Sequence, residues 1–157
     1  MTLKKVNLSF QPHNNSHNSI LQVVTQGIFS AIKFDEKGLI PVIVQDSFDK
    51  EILMMAFMNE EALKMTLKTK SAHFFSRSRQ KLWQKGETSG QIQQVKEVLI
   101  DCDGDALILK VEQAGKPIGV ACHTGRKSCF FRTLSDENQL QINQEILVNI
   151  EELYGKK

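Results

Sequence analysis

The sequence predicts an α+β fold: a mostly antiparallel β-sheet domain with one or two flanking helices and a C-terminal helix. Three observations carry that reading. Short β-branched or alternating apolar runs recur at 39–45, 51–57, 72–76, 93–100 and 106–113. Residues 60–69 carry helix signals at both ends, and a last segment spaces its apolar residues as one helical face.

In chain order, residues 1–20 are largely polar, with Asn14, Asn15, Ser16, His17 and Asn18 clustered, and are expected to form a tail that buries little. From Ile20, the spacing of Leu21, Val24, Ile28, Phe29 and Ile32 is compatible with a helix that Gly27 weakens. The runs from Leu39 to Gln45 and from Glu51 to Phe57 flank turn residues 46–50 and read as a hairpin. Asn59 is a natural N-cap for a helix that has Glu60 and Glu61 in its first turn and Lys68 and Lys70 at its end. Strands are expected at Ala72–Ser76, Gln93–Ile100 and Ala106–Gln113. A turn follows over Ala114, Gly115, Lys116 and Pro117, and Ile118–Ala121 is expected to lead back into the sheet. Ile146, Leu147, Ile150, Leu153 and Tyr154 share a helical face opened by Ser135 or Asp136. The organisation expected is therefore a tail (1–20), a main domain (21–134) and a C-terminal helical extension (135–157).

A chain of 157 residues suits one domain, and 41% hydrophobic with 24% charged residues is a soluble globular balance. A net charge of +2 is too small for a general nucleic-acid binder. Positive charge nevertheless gathers at Arg77, Arg79, Lys81, Lys85, Arg126, Lys127 and Arg132, which fits a local anion site. No run approaches the ~18–20 apolar residues of a membrane span, and the N-terminus lacks a secretory pattern, so no membrane partner and a cytoplasmic location are expected. Three cysteines cannot all pair within one chain, and a reducing compartment leaves them as thiols available to a metal.

Asp101, Asp103 and Asp105 alternate around Cys102 and Gly104, where one strand ends and another begins. Three carboxylates so close repel unless a cation lies between them; an exposed turn with solvated charges is the plainer alternative. An EF-hand loop is rejected, because Ala106 stands where that loop requires glycine. Cys102, Cys122 and Cys129 offer three soft thiolates, which suit zinc and leave one tetrahedral position open for water. Buried inert thiols are the alternative, less natural for Cys102 and Cys129 among Asp, Lys and Ser. His123 adjoins a candidate ligand and is the candidate general base or proton shuttle. Arg126 and Lys127 lie in the small polar loop beyond it, which offers N–H groups and cations to a phosphate. Arg77, Arg79, Trp83 and Lys85 can stack on a base and grip phosphate, and Glu87, Thr88 and Ser89 can hydrogen-bond a sugar. A hairpin with core Phe and Trp and a solvated turn would explain the same stretch.

Taken together, Ser76–Arg79, Trp83–Gly90, Asp101–Asp105 and Ala121–Arg132 closely resemble the phosphoribosyl-AMP cyclohydrolases, over a stretch from about Phe34 to Arg132. The resemblance implies hydrolysis of N1-(5-phosphoribosyl)-AMP, opening the adenine ring between N1 and C6, in histidine biosynthesis. It implies one zinc per subunit on Cys102, Cys122 and Cys129, with zinc-bound hydroxide as nucleophile, and magnesium on Asp101, Asp103 and Asp105. It also implies a homodimer in which Cys102 of one chain meets Cys122 and Cys129 of the other. The segment after Arg132 is too short for the pyrophosphohydrolase domain that follows in some relatives.

Two other readings of the same residues compete with this one. A zinc-stapled nucleic-acid-binding module is suggested by basic loops near aromatics, and salt-dependent RNA affinity without turnover would mark it. A zinc deaminase acting at adenine C6 would carry His-x-Glu and Pro-Cys-x-x-Cys, and the sequence has neither.

Overall fold

A computed structural model describes residues 27–155. Two compact units divide the chain, residues 1–31 and residues 32–157. Of the first, residues 27–29 are helical and the Ala31 N–H donates to the Ile28 carbonyl (3.1 Å). The expected tail, and the start of the helix expected from Ile20, lie outside the described residues.

In the second unit the first predicted hairpin forms: β1 (Ile40–Asp46) pairs antiparallel with β2 (Ile52–Met58). Alternation does the sorting, because Ile40, Val42 and Val44 of β1 are fully buried while Ile43 is not. Next comes α1 (Glu60–Thr69). The Asn59 side chain accepts from the Ala62 N–H (2.9 Å), Lys70 closes the helix in a left-handed conformation, and Ala62, Leu63 and Thr66 are buried. An N-cap of this kind contributes about 1 kcal/mol, and deleting a side chain such as Leu63 to Ala would cost ~2–5 kcal/mol.

Strands β3 (His73–Ser76) and β4 (Lys81–Gln84) form a small hairpin that places Phe74 opposite Trp83. Strands β5 (Ile92–Ile100) and β6 (Leu107–Ala114) pair antiparallel. The main sheet runs β2-β1-β6-β5, and its central pair β1–β6 is parallel, with Val42 opposite Leu107. Local periodicity cannot show that pairing, because it joins strands far apart in the chain. The β3–β4 hairpin is tied to β5 through the Ala72 N–H to Gln93 carbonyl (3.0 Å) and Val95 N–H to Lys70 carbonyl (2.7 Å) bonds.

Two expectations are corrected. Ile118–Ala121 is not a strand; after the cis Lys116–Pro117 bond it runs as irregular chain held by the buried Gln91, whose amide accepts from the Val120 N–H (2.7 Å) and donates to the Lys116 carbonyl (3.2 Å). No helix starts at Ser135 or Asp136. Strands β7 (Arg132–Leu134) and β8 (Leu140–Ile142) form a hairpin, and the helix α2 is confined to Ile150–Tyr154 with Asn149 as its N-cap. The physical reason is that Ser135 closes a turn instead of opening a helix: its hydroxyl accepts from the Gln139 N–H and its carbonyl from the Asn138 N–H, with Asn138 left-handed. No helix among the described residues is long and apolar enough to cross a membrane.

Candidate active site

The loop 121–129 carries two of the three cysteines, and its own backbone folds it tight. Ala121 N–H donates to the Lys127 carbonyl (3.0 Å), Cys122 N–H to that of Arg126 (3.1 Å) and Gly125 N–H to that of Cys122 (3.1 Å). Gly125 has φ +78°, and a Cβ there would run into the Val148 carbonyl oxygen, so the turn requires glycine twice over. The loop's far end is bound to β2: the buried Ser128 hydroxyl donates to the Ile52 carbonyl (2.7 Å), and the Cys129 N–H donates to that of Leu53 (2.8 Å). These bonds hold Cys122 and Cys129 on one short loop, near enough for Cys122 to act on the Cys129 thiol by charge and hydrogen bonding.

Beside the thiol pair sits Lys85. Its side chain is buried and its ammonium donates to the Gln91 carbonyl (3.3 Å). Burial pushes its pKa down, and the charges of Cys129 and Cys122 partly oppose that. Cys129 is exposed on one side, yet protein crowds its sulfur. Desolvation, followed by the charge and hydrogen bond of Cys122, raises its pKa to about 12. A thiol held like Cys129 keeps its proton unless a cation draws it off, which is the chemistry of a soft-metal site.

Above them lies a cavity of about 450 Å³. His123 and Cys129 form part of its wall, and Arg79, Trp83 and Lys85 form another. The turn with Glu87, Thr88 and Ser89 completes the rim, so eight residues singled out in the sequence share one cavity. Gly86, at φ +87°, folds this turn back on Gln91. Trp83 is backed from inside by the fully buried Phe74, ring centroids 5.1 Å apart.

Three other candidates lie outside the cavity. Lys127 is paired with Asp49 and with Glu51 (2.9 Å). Arg126 donates to the Gln144 carbonyl (3.1 Å) and the Thr124 hydroxyl (3.2 Å) and lies over the Phe131 ring (4.3 Å). Arg77 stacks on Phe57 at 3.9 Å and lines a separate open cavity of about 670 Å³.

Cys102 is elsewhere, on the loop joining β5 to β6. Among the described residues, the group whose ligand atoms all lie within 4.8 Å is Asp101, Cys102 and Asp103, without Cys122 or Cys129. One Asp101 oxygen accepts from the N–H groups of Gly104 (2.9 Å) and Ala106 (3.1 Å) and so shapes the loop. Desolvation acts to raise Asp101, but those N–H groups and hydrogen bonds with Asp103 and Asp105 outweigh it and hold it below the ordinary value. Asp105 is raised, first by its hydrogen bond with Asp101 and then by the charges of Asp103 and Asp101. The three carboxylates are therefore mutually crowded, a strain that a divalent cation would offset.

The sequence reading missed Met54 and Tyr154, which line the cavity beside the cysteine loop. Met54 belongs to a continuous apolar strand and carries no local signal. Tyr154 is the chain's single tyrosine, on a helix read as an appendage rather than as a wall of the site.

Comparison with known proteins converges on one family. Residues 54–131 match the family model described as phosphoribosyl-AMP cyclohydrolase. A protein of that name from Chlorobium limicola is 52% identical over 90% of this chain and 98% of its own length. Another from Chlorobium chlorochromatii is 51% identical over 92% and 98%, and one from Vesicomyosocius okutanii is 54% identical over 79% and 95%.

Proposed function

Since the chain belongs to the phosphoribosyl-AMP cyclohydrolase family, we propose that it hydrolyses N1-(5-phosphoribosyl)-AMP in histidine biosynthesis, as a zinc-dependent enzyme of the cytoplasm. The observation that carries the reading is that His123, Cys129, Trp83, Arg79 and the hydroxyl-rich turn Glu87–Ser89 line one cavity. A soft cation, a proton carrier, a purine face and a sugar phosphate each find the side-chain chemistry they need there.

The reaction adds water at C6 of the adenine ring and breaks the N1–C6 bond. Zinc, when bound, supplies Lewis-acid activation of that water, and Cys122 and Cys129 with a third thiol are the donors that suit it. His123 accepts the proton that the water loses as its oxygen bonds to C6. It returns that proton to N1 as the N1–C6 electron pair leaves with that nitrogen, and the water's second proton ends on the exocyclic nitrogen as C6 becomes a carboxamide carbon, so both protons of the water are accounted for. Trp83 offers a stacking face to the base, Arg79 a fork for a phosphate, and Glu87, Thr88 and Ser89 partners for ribose hydroxyls. Lys85 places a positive charge beside the thiolates and offsets part of theirs. Asp101, Asp103 and Asp105 would hold magnesium against a substrate phosphate. Arg126 and Lys127 brace the cysteine loop in this reading, because their charges are already engaged by Gln144, Thr124, Asp49 and Glu51.

The working unit in this reading is a homodimer, each site taking Cys102 from one chain and Cys122 with Cys129 from the other. The separation of Cys102 from the thiol pair within one chain supports it. The direct test follows ring opening of phosphoribosyl-AMP by ultraviolet absorbance. Turnover is expected from the zinc-loaded protein, abolished by a chelator and restored by zinc. No ring opening from folded, zinc-loaded protein would overturn the proposal.

A further inference from the structure

The chain holds one tryptophan and one tyrosine, and both line the same cavity. Trp83 arrives on β4, in the middle of the folded unit's sequence, while Tyr154 is the last residue of α2, near its C-terminal end. The carbonyl of Gly125 accepts from both Leu147 (2.8 Å) and Val148 (3.1 Å) N–H groups, which clamps the C-terminal segment onto the cysteine loop. Val148 and Leu153 then bury against Val120. Leu153 does the packing for α2, being 5% exposed, whereas the adjoining Tyr154 remains 44% exposed at the cavity. Part of the tyrosine is desolvated and its hydroxyl feels the charge of Cys122, while the exposed remainder lines the space that the proposed nucleotide would enter.

We propose that Tyr154 is the second aromatic wall of the base-binding part of this cavity, so that the C-terminal segment completes the substrate site. The inference rests on the nucleotide reading given above and deepens it. A purine exposes two faces, and the apolar ring surface left outside a one-sided stack must be covered or hydrated. Trp83, held by Phe74, is one rigid wall; Tyr154 is the other large aromatic side chain at the cavity, and its position on a helix end carried by Leu153 fixes its backbone without fixing its ring. In this arrangement the ring, rather than the hydroxyl, carries the contribution, and it acts on binding rather than on bond breaking.

The test uses full-length, zinc-loaded protein with AMP as the equilibrium probe and phosphoribosyl-AMP as the substrate. Trp83 emission is followed as AMP is added, and energy transfer from Tyr154 to Trp83 is read by exciting where tyrosine absorbs; with one residue of each kind, both signals are unambiguous. Tyr154→Ala is expected to weaken AMP binding and raise KM roughly tenfold, equivalent to ~1.4 kcal/mol, with kcat, zinc content and unfolding midpoint held. Tyr154→Phe is expected to stay within about twofold of the unaltered protein in both measures. An unchanged KM and AMP affinity in Tyr154→Ala would overturn the inference while leaving the enzymatic reading standing. So would a Tyr154→Phe variant as impaired as Tyr154→Ala, since the hydroxyl would then be the operative group. Failure of the unaltered protein both to bind AMP and to open the ring would instead remove the nucleotide reading, and this inference with it.

Discussion

Subunit mixing tests whether the proposed zinc site is shared between two chains. Cys122 and Cys129 are held together on the loop fastened to β2, while Cys102 sits on the acidic loop beyond β5. In a two-fold dimer whose sites combine the two loops across the boundary, Cys102→Ala spoils both sites of its homodimer, and Cys129→Ala does the same. In a mixed dimer the two defects fall on one site. The other site takes Cys102 from the Cys129→Ala chain and the thiol pair from the Cys102→Ala chain, and is whole. Random reassociation of equal amounts gives mixed dimers in about half the population, so recovered activity and bound zinc should approach about a quarter of the unaltered enzyme. The assay is ring opening and zinc content before and after subunit exchange, with exchange itself verified by native mass spectrometry. Mixed dimers that form but remain at the level of the single variants would refute sharing, because no intact site could then be assembled from two chains.

Three further outcomes are expected. In metal-free protein, alkylation mapped by mass spectrometry should modify the exposed Cys102 well before Cys129; the folded value of about 12 exceeds the ordinary 9.0, so Cys129 keeps its proton, and the stability linked to it is present below pH 9 and fades as pH rises toward 12. Equal labelling rates at neutral pH would count against the desolvated thiol pair. Gly125→Ala should cost roughly 2–3 kcal/mol in denaturant unfolding, since it combines a left-handed backbone with a collision against the Val148 carbonyl; a loss below about 0.5 kcal/mol would mean that the C-terminal segment is not clamped there. Lys85→Met should lose zinc to a competing chelator roughly tenfold more readily, as a buried positive charge beside the thiolates disappears; unchanged zinc retention would remove that role.

Legibility in the sequence followed the range of the forces involved. The Asn59 cap, the acidic first turn and the β1–β2 hairpin rest on contacts a few residues apart, and the structure forms each as the sequence indicates. Residues 135–145 differ from the expectation because the helical face at Ile146, Leu147, Ile150, Leu153 and Tyr154 does not extend back to Ser135; Leu140 and Ile142 stand at alternate strand positions instead. Only the turn chemistry of Ser135 and Asn138 decides between helix and strand there. The parallel β1–β6 pairing has no local trace at all. For the candidate site, residue types were legible and partners were not: Lys127 reads as a phosphate ligand until Asp49 and Glu51, far away in sequence, are found beside it.

That last distinction sorts the basic residues physically. A cation already satisfied by carboxylates or carbonyls must give up those bonds to meet a phosphate, and the exchange gains little. Lys127 and Arg126 are in that state, and what they hold is the loop that presents Cys122 and Cys129. Gln144 joins the same brace, its side chain reaching both the Ser128 N–H and Glu51. The cysteine loop is therefore fixed from β2 on one side and from the C-terminal segment on the other. A segment that looks peripheral in sequence thus bears on the spacing of the two thiols, and damage at residues 144–153 should be felt at Cys122 and Cys129 before it is felt in the central sheet.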